Sequence, residues 1–281
     1  MSNAPFVEIK NQISNEISPD VSNKIPKKWE KVGNVLILKI SKDLLDYQKE
    51  IAEIYSKILN CKSVLNDIGG INGIFRIPKV ELIYGSKNTE TIHIENGIKY
   101  KIDPVKIMFS SGNMDERIRM SNISNKNEIV IDLFAGIGYF SLPIAVYSKP
   151  KEIYSCELNP ISYKYLCKNI VLNHVTSIVK PLLGDNKKTA PLNIANRVLL
   201  GYFKETKNYF PLAINCLKNK SGFIHYHDII PKNKIPNNPI KNINKIAKNQ
   251  NIEINNFSYK KVKSYAPGIN HYVFDIKVGE K

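Results

Sequence analysis

The sequence predicts an α/β protein in which a small α+β module precedes a larger domain built on a mostly parallel sheet. Beyond Glu128, apolar runs typical of strands alternate with helical patterns, and the first run ends at Asp132 in a turn that contains Gly136 and Gly138. No internal repeat is visible. Such alternation favours a parallel sheet with helices on both faces. The 281 residues suffice for one large or two modest domains.

The N-terminal third divides into two predicted segments. Residues 1–24 are polar and lack clear periodicity, which predicts a poorly ordered extension. Residues 25–90 form the predicted α+β module, with a strand over 35–40 and a helix over 44–59 whose apolar residues recur at helical spacing. A glycine-rich stretch at 69–73 interrupts the chain before two further predicted strands, at 74–77 and 80–83.

Residues 91–281 form the predicted larger domain. It opens with a hairpin, because alternating runs at 91–95 and 98–102 flank an Asn96-Gly97 turn. Further strands are predicted at 128–134, 153–157, 177–183, 197–200, 222–226, 251–259 and 271–278, with helices over 139–147 and 160–173. The Asn/Pro/Lys-rich stretch 233–244 predicts a surface loop, because Pro236 and Pro239 interrupt regular structure.

The glycine turn after Asp132 separates two classes of cofactor. Glycine lets a ligand approach the main chain closely, and a carboxylate that ends the next strand, here Glu157, can hold a ribose by its hydroxyls. A dinucleotide site requires Gly-x-Gly-x-x-Gly, whereas Gly136-Ile-Gly138 has no third glycine after it. Asp132 also places negative charge where a pyrophosphate would bind, which suits a sulfonium instead. The turn therefore predicts S-adenosylmethionine and not NAD, with a tight turn in another doubly wound protein as the alternative.

Composition and charge restrict the partners. Lys and Arg number 41 against 25 Asp and Glu, and the net charge of +16 favours a polyanion such as nucleic acid, although part of the excess can reflect AT-rich coding DNA. The four cysteines show neither zinc-ligand spacing nor a disulfide framework, so no metal is expected. No apolar run is long enough to span a bilayer and the polar start lacks a secretory signal, which predicts a cytoplasmic protein without membrane contact.

Four motifs together resemble one enzyme family. They are the polar segment 106–120, the glycine turn within 131–140, Glu157-Leu-Asn-Pro160 and Gly184-Asp-Asn186. In combination they are similar to the archaeal and eukaryotic tRNA-modifying enzymes that act on the purine 3′ of the anticodon, and the resemblance runs from about Trp29 to the end. It implies a Rossmann-like class I S-adenosylmethionine-dependent transferase domain with a seven-stranded sheet. The family holds two activities, guanine N1-methylation and the aminocarboxypropyl transfer of the wybutosine pathway.

Two positions favour the second activity. The methyltransferases carry Phe-Ser-Pro-Arg where this chain has Phe109-Ser-Ser-Gly-Asn113, and the other enzyme carries a Gly-Asn version. The methyltransferases also end the fourth strand in an Asn/Pro motif that holds the base edge, whereas this chain has Gly201-Tyr202. The resemblance thus implies transfer of the 3-amino-3-carboxypropyl group to the 4-demethylwyosine base of tRNA(Phe), with release of methylthioadenosine. The alternative is the N1-methyltransferase acting on the same nucleotide.

The resemblance also implies roles for individual residues. Ser110 and Arg117 are expected to contact S-adenosylmethionine, with the Arg117 guanidinium suited to its carboxylate. Glu157 is expected at the ribose. The remaining cofactor-binding residues are predicted to be Asp132, Phe134, Ala135, Gly136, Gly138, Asp185 and Asn186, with the last two at the adenine. The candidate catalytic residues are Asn113, Glu116, Arg117, Gly201 and Tyr202, and the protein is expected to act as a monomer.

Several of these residues have structural alternatives. Arg117 and Arg119 could form a solvated face, Glu116 could pair with a lysine, and Asp185-Asn186 could be an ordinary turn. His225 and His227 would share one face of a strand, where structural roles are favoured, although His227 is close to a strand end that substrate could reach. The sequence leaves open which group removes the proton from the acceptor carbon.

Overall fold

A computed structural model describes residues 4–203 and 205–280 of the chain. The molecule divides into two compact units, Met1–Ser111 and Gly112–Lys281.

The first unit begins with two helices, α1 (Ala4–Glu16) and α2 (Pro19–Lys24). The prediction of a poorly ordered extension over 1–24 is therefore wrong for the residues described. Ile9 and Ile13 of α1 are fully buried in the core of the unit. They lie on one face of the helix together with Phe6 and Ile17, because all four recur at spacings of three or four residues. The polar residues between them hide this stripe from a reading based on overall polarity.

A four-stranded sheet and one long helix complete the core of the first unit. Its strands lie in the order β1-β2-β3-β4, with β2 and β3 parallel. The strands are β1 (Glu30–Val32), β2 (Val35–Leu38), β3 (Ser63–Asn72) and β4 (Ile77–Gly85). Helix α3 (Gln48–Ile58) buries Ile51 and Tyr55 in this core. The expected break at 69–73 is wrong, because β3 continues through the glycines to Asn72 with an irregular register against β4.

A hairpin of β5 (Thr91–Glu95) and β6 (Ile98–Ile102) turns at Asn96-Gly97, as the sequence predicts. It belongs by its contacts to the first unit, although the sequence-based boundary placed it at the start of the larger domain. Its hydrogen bonds to residues of the first unit explain why it belongs there. The Thr91 hydroxyl donates to Asn34 Oδ1 at 2.8 Å, and His93 Nδ1 accepts from the Gly33 amide at 3.2 Å.

The second unit contains a seven-stranded sheet in the order β12-β13-β11-β10-β7-β8-β9. All neighbours are parallel except β13, which runs antiparallel to both β11 and β12. The predicted mostly parallel sheet of seven strands is thus confirmed. The strands are β7 (Ile129–Asp132), β8 (Glu152–Glu157), β9 (Val179–Leu183), β10 (Arg197–Leu200), β11 (Gly222–Pro231), β12 (Ile252–Ala266) and β13 (Ile269–Glu280).

The helices of the second unit connect and flank these strands. They are α4 (Met114–Met120), α5 (Ser141–Pro143) with a following π-helical turn, α6 (Pro160–Leu172), α7 (Asn186–Thr189), α8 (Phe210–Cys216) and α9 (Asn237–Asn249). The surface loop expected at 233–244 is wrong, because α9 begins inside it. Pro239 lies in the first turn of α9, where backbone N–H groups have no partner within the helix, so proline is tolerated. Ile243 and Ala247 of α9 are buried in the core.

The strand order places a candidate site at the carboxyl ends of the parallel strands. In the sheet, β8 and β9 lie on one side of β7. The next strand of the chain, β10, lies on the other side of β7. Ligands of such sheets bind beyond the carboxyl ends of the strands, where the order reverses. None of the helices in the described part of the chain is both long and apolar enough to cross a membrane.

Candidate active site

Asp132 ends β7 and holds the glycine turn from inside. Its side chain is fully buried, its Oδ2 accepts from the Ser141 hydroxyl at 2.8 Å, and its Oδ1 accepts from the Phe134 amide at 3.2 Å. Burial raises the pKa of Asp132 to about 6, although these hydrogen bonds oppose the shift. Both carboxylate oxygens thus bond to the protein itself, and the predicted cofactor contact of Asp132 stays a prediction. Asp132 positions the turn and the start of α5.

Gly136 and Gly138 are required by the shape of the turn. Their φ angles of +59° and +99° lie in the left-handed region that favours glycine. A Cβ atom on Gly136 would lie 2.6 Å from the Tyr139 ring, and one on Gly138 would lie 2.6 Å from Leu142 Cγ. Ala135 is buried and its amide donates to the Cys156 carbonyl at 2.9 Å, which ties the turn to β8.

Glu157 at the end of β8 joins two loops. Its Oε2 accepts from the Gly136 amide and its Oε1 accepts from the Asn159 amide, each at 2.7 Å. Burial raises the pKa of Glu157, and the two backbone donors oppose this. A carboxylate has about four acceptor positions, so this partly exposed group keeps capacity for ribose hydroxyls.

Asp185 and Asn186 follow β9 and differ in role. Asp185 is exposed, and its Oδ1 caps α7 by accepting from the Lys187 amide at 3.0 Å, so it begins a short helix, and its predicted contact with the adenine stays a prediction. Asn186 is 7% exposed and its Nδ2 donates to the Leu133 carbonyl at 2.8 Å. Its Oδ1 is buried and has no hydrogen-bond partner within residues 4–203 and 205–280. An unpartnered acceptor beside the glycine turn fits the amino group of an adenine.

The end of β10 presents aromatic rings. Tyr202 stacks on Phe134 with ring centroids 5.1 Å apart and an interplanar angle of 16°, and Tyr209 contacts both rings edge-on. Gly201 precedes this stack, and a Cβ atom there would lie 3.3 Å from the Phe140 ring. The carboxyl end of β10 therefore offers aromatic rings at the position where the resemblance would place the polar motif of the methyltransferases.

Helix α4 carries two of the predicted residues, Glu116 and Arg117, together with Arg119. Arg119 donates to both carboxylate oxygens of Glu116, at 2.9 and 2.7 Å, and to Asp275 of β13 at 2.7 Å. Arg117 is 3% exposed. The alternatives of a solvated arginine face and of a Glu116–lysine pair are therefore both wrong. Burial raises the pKa of Glu116 against the opposing effect of Arg119.

Asn113 and Ser110 lie just before α4. Asn113 is half-buried, and its Oδ1 lacks a hydrogen-bond partner in the part of the chain that the structure describes. The side chain of Lys263 from β12 lies beside the neighbouring Gly112, 3.2 Å from where a Cβ atom would stand. Ser110 is half-buried and belongs to the first unit, so its predicted cofactor contact stays a prediction.

A buried ionic chain that the sequence reading missed runs behind α4. Arg197 pairs with Glu128 at 2.9 Å, and its Nη1 lies 2.7 Å from His225 Nε2. Because a guanidinium only donates, His225 Nε2 accepts, so the proton is on Nδ1 and is donated to Asp275. Burial acts to raise the pKa of Asp275, but His225 and Arg119 outweigh it and hold this pKa at about 2. The only sign of these contacts in the sequence is the presence of polar residues within otherwise apolar strands.

The fold and the site define a class I S-adenosylmethionine-dependent transferase. A family model described as the TRM5/TYW2 methyltransferase domain matches residues 91–255, and one described as the TYW2 N-terminal domain matches residues 9–89. The chain belongs to this TRM5/TYW2 family. Among the described residues, no group of three or more His, Cys, Asp or Glu side chains is arranged to hold a metal ion.

Individual relatives cover nearly the whole chain. A tRNA(Phe) (4-demethylwyosine(37)-C(7)) aminocarboxypropyltransferase of Pyrococcus horikoshii is 41% identical over 270 residues, which span 96% of each chain. The crystal structure of P. horikoshii TYW2 in complex with MeSAdo is 37% identical, has a TM-score of 0.88, and covers 98% of this chain and 100% of that chain. The structure of M. jannaschii TYW2 in complex with AdoMet is 37% identical, has a TM-score of 0.75, and covers 90% of this chain and 100% of that chain.

Proposed function

We propose that this chain transfers the 3-amino-3-carboxypropyl group of S-adenosylmethionine to the 4-demethylwyosine base of tRNA(Phe), beside the anticodon. The observation that carries the proposal is the 41% identity, over 96% of each chain, to an enzyme named for this activity. The Gly201-Tyr202 end of β10 supports it, because a flat aromatic surface replaces the polar motif that would hold a guanine edge.

Residues at the ends of β7, β8 and β9 hold the donor. Glu157 accepts from the ribose hydroxyls, and the unpartnered Oδ1 of Asn186 accepts from the adenine amino group. The turn at Gly136 and Gly138 lets the nucleoside approach the main chain. When bound, S-adenosylmethionine supplies a carbon made electrophilic by the adjacent sulfonium, and the C–S bonding electrons leave with methylthioadenosine. Arg117 orients the carboxylate of the transferred arm, which selects this carbon over the methyl group.

The acceptor base is part of tRNA, which is a polyanion. Contacts between phosphates and a chain of net charge +16 supply much of the affinity for tRNA. The tricyclic base leaves its stack and packs against Tyr202 and neighbouring rings, as bases do at aromatic platforms. The chain acts as a cytoplasmic monomer in this proposal.

The two activities of the family can be distinguished by which labelled group of S-adenosylmethionine is transferred to tRNA. We expect S-adenosylmethionine labelled in its carboxyl group to label tRNA that carries the tricyclic base, and S-adenosylmethionine labelled in its methyl group to leave RNA unlabelled. Unmodified tRNA serves as the control acceptor. Methyl label on unmodified guanosine would instead assign the chain to N1-methylation.

A further inference from the structure

Two buried histidines lie behind the candidate site in the second unit. His227 of β11 is fully buried and His271 of β13 is 1% exposed, and His227 Nδ1 lies 3.0 Å from His271 Nε2. Leu200 pairs with Tyr226, so His227 lies one residue beyond the end of β10. The pair therefore lies at the carboxyl edge of the parallel strands, where ligands of this fold bind.

Two loops of the candidate site cover this pair. The Phe140 ring, at the end of the glycine turn, stacks on His227 with centroids 5.1 Å apart. The Phe203 ring, directly after Tyr202, meets His271 edge-on with centroids 4.4 Å apart. Both histidines are thus in contact with the segments that flank the donor and acceptor positions.

Two nitrogens of the pair, His227 Nε2 and His271 Nδ1, are buried and have no hydrogen-bond partner among residues 4–203 and 205–280. Glu116 Oε1 lies 3.7 Å from His227 Nε2, which is too far for a hydrogen bond, but the negative charge of the carboxylate favours a proton on that nitrogen. His227 Nδ1 then accepts from His271 Nε2, because a neutral imidazole carries one N–H. His271 Nδ1 is left as a bare acceptor, buried and without a hydrogen-bond partner among residues 4–203 and 205–280. The order carboxylate, imidazole, imidazole resembles the arrangement that orients a general base.

The surrounding charges keep the pair neutral. Burial lowers the pKa of His271 to about 3, and the ammonium of Lys263 on β12 adds to the shift. Burial also lowers the pKa of His227 well below its usual value; the positive charge of Arg119 on α4 acts in the same direction, while Asp275 of β13 opposes it. His225, the other histidine on β11, is neutral and bonded to Asp275. His271 is therefore neutral at physiological pH, with a free lone pair; its low pKa makes it a weak base, suited to a strongly acidic proton such as that of a cationic adduct.

We propose that His271 Nδ1 accepts the proton released by the acceptor carbon, with His227 and Glu116 orienting it. This inference rests on the proposed function. The carbon of the base forms a bond to the donor carbon, the C–S bond breaks, and its electron pair leaves on sulfur. The cationic adduct then loses its proton to His271 Nδ1, while the Nε2 proton moves to His227 Nδ1. The C–H bonding electrons restore the aromatic system, so atoms and charges balance.

The test combines a variant with deuterium at the reacting carbon of the base. We expect His271→Ala to lower the single-turnover rate of transfer on the order of 100-fold. Proton removal should then limit the rate, so a primary deuterium isotope effect should exceed that of the unaltered enzyme. Free imidazole, which can enter the space vacated by the ring, should restore part of the rate. Affinity for S-adenosylmethionine should stay within about twofold.

A matched control is His225→Asn. His225 is buried and lies on the same face of β11 as His227, but its partners belong to the ionic chain. The His225→Asn variant should lower thermal stability without raising the isotope effect. His271→Gln provides a second variant of similar volume if His271→Ala unfolds. An unchanged isotope effect and no response to imidazole in both His271 variants would reduce the pair to a structural role and overturn the inference. If the unaltered enzyme transfers no carboxyl label to tRNA, that result contradicts the proposed function itself, whatever the His271 variants do.

Discussion

The glycine-turn region and the buried ionic chain, both in the second unit, hold their polar groups in opposite ways. In the glycine-turn region, Glu157 and Asp132 accept mainly from backbone amides of nearby loops. In the ionic chain, side chains bond to side chains from distant parts of the sequence, and Arg119 and Asp275 are 156 positions apart. The first region binds through a shape that a local motif encodes, whereas the second exists only when several elements have assembled.

This difference has energetic consequences. A carboxylate that accepts from backbone amides retains positions for a ligand, so its loss affects binding most strongly. A buried charge whose partner is removed stays desolvated and uncompensated, so its loss affects folding most strongly. We therefore expect substitutions in the glycine-turn region to change affinity for the donor, and substitutions in the ionic chain to change stability.

The largest effect is expected for Glu157→Ala. The variant loses the acceptor for the ribose and frees the amides of Gly136 and Asn159, so kcat/KM for S-adenosylmethionine should fall about 100-fold, near 3 kcal/mol for hydrogen bonds to a charged group. Direct binding measurements and initial rates test this. Glu152→Ala, on the same strand and paired with Lys180, is the control. Unaltered donor affinity in Glu157→Ala would remove this residue from the site.

An intermediate effect on stability is expected for Asp275→Asn. The pKa of Asp275 is lowered from 3.8 to about 2, so the carboxylate stabilises the fold above its unfolded pKa, and that stabilisation is lost as pH falls from about 4 to about 2. The variant should lower the free energy of unfolding at pH 7 by roughly 2 kcal/mol. Urea denaturation at several pH values measures this.

The pH dependence separates the ionic chain from a general surface effect. The gap between the unaltered protein and Asp275→Asn should narrow steadily as pH falls from about 4 to about 2, because the Asp275 carboxylate becomes protonated over this range and both side chains are neutral at its lower end. Exposed Asp115 provides the control substitution Asp115→Asn, which should leave stability unchanged at every pH. A constant gap down to pH 3 would argue that the carboxylate charge is not what Arg119 and His225 require.

The smallest effect is expected for Tyr202. Tyr202→Ala removes the ring that stacks on Phe134, and aromatic pairs contribute about 0.5–1.5 kcal/mol beyond burial, so KM for tRNA should rise roughly threefold to tenfold. Tyr202→Phe keeps the ring and should behave as the unaltered protein. Equal losses in the two variants would assign the role to the hydroxyl group and not to the stack.

Much of the fold was predictable because it rests on local pattern. The hairpin at Asn96-Gly97 and the seven strands of the large sheet follow from short-range alternation and turn chemistry. The N-terminal helices were missed because their apolar stripe is narrow, and α9 was missed because Pro239 looks like a breaker unless its place in the first turn is known.

The candidate site was predictable to a similar degree. The glycine turn and Glu157 could be identified because a strand, a turn and a strand-end acid are contiguous or nearly so in the sequence. The hydrogen bonds of Asp132 to Ser141 and Phe134 were not predictable, because a sequence does not show which way a strand-end side chain points. The Arg197–His225–Asp275 contacts lay outside any motif, because their members come from three separate strands.

The sequence by itself determined the succession of strands in the larger domain, the conformation of the glycine turn and the kind of donor it receives, because these depend on residues within a few positions of one another. The tertiary structure alone decided which charges meet. It buried Asp132, paired Arg119 with both Glu116 and Asp275, and brought His227 against His271. The physical reason is that a buried polar group must find a partner, and the sheet order selects the partner that lies within hydrogen-bond distance.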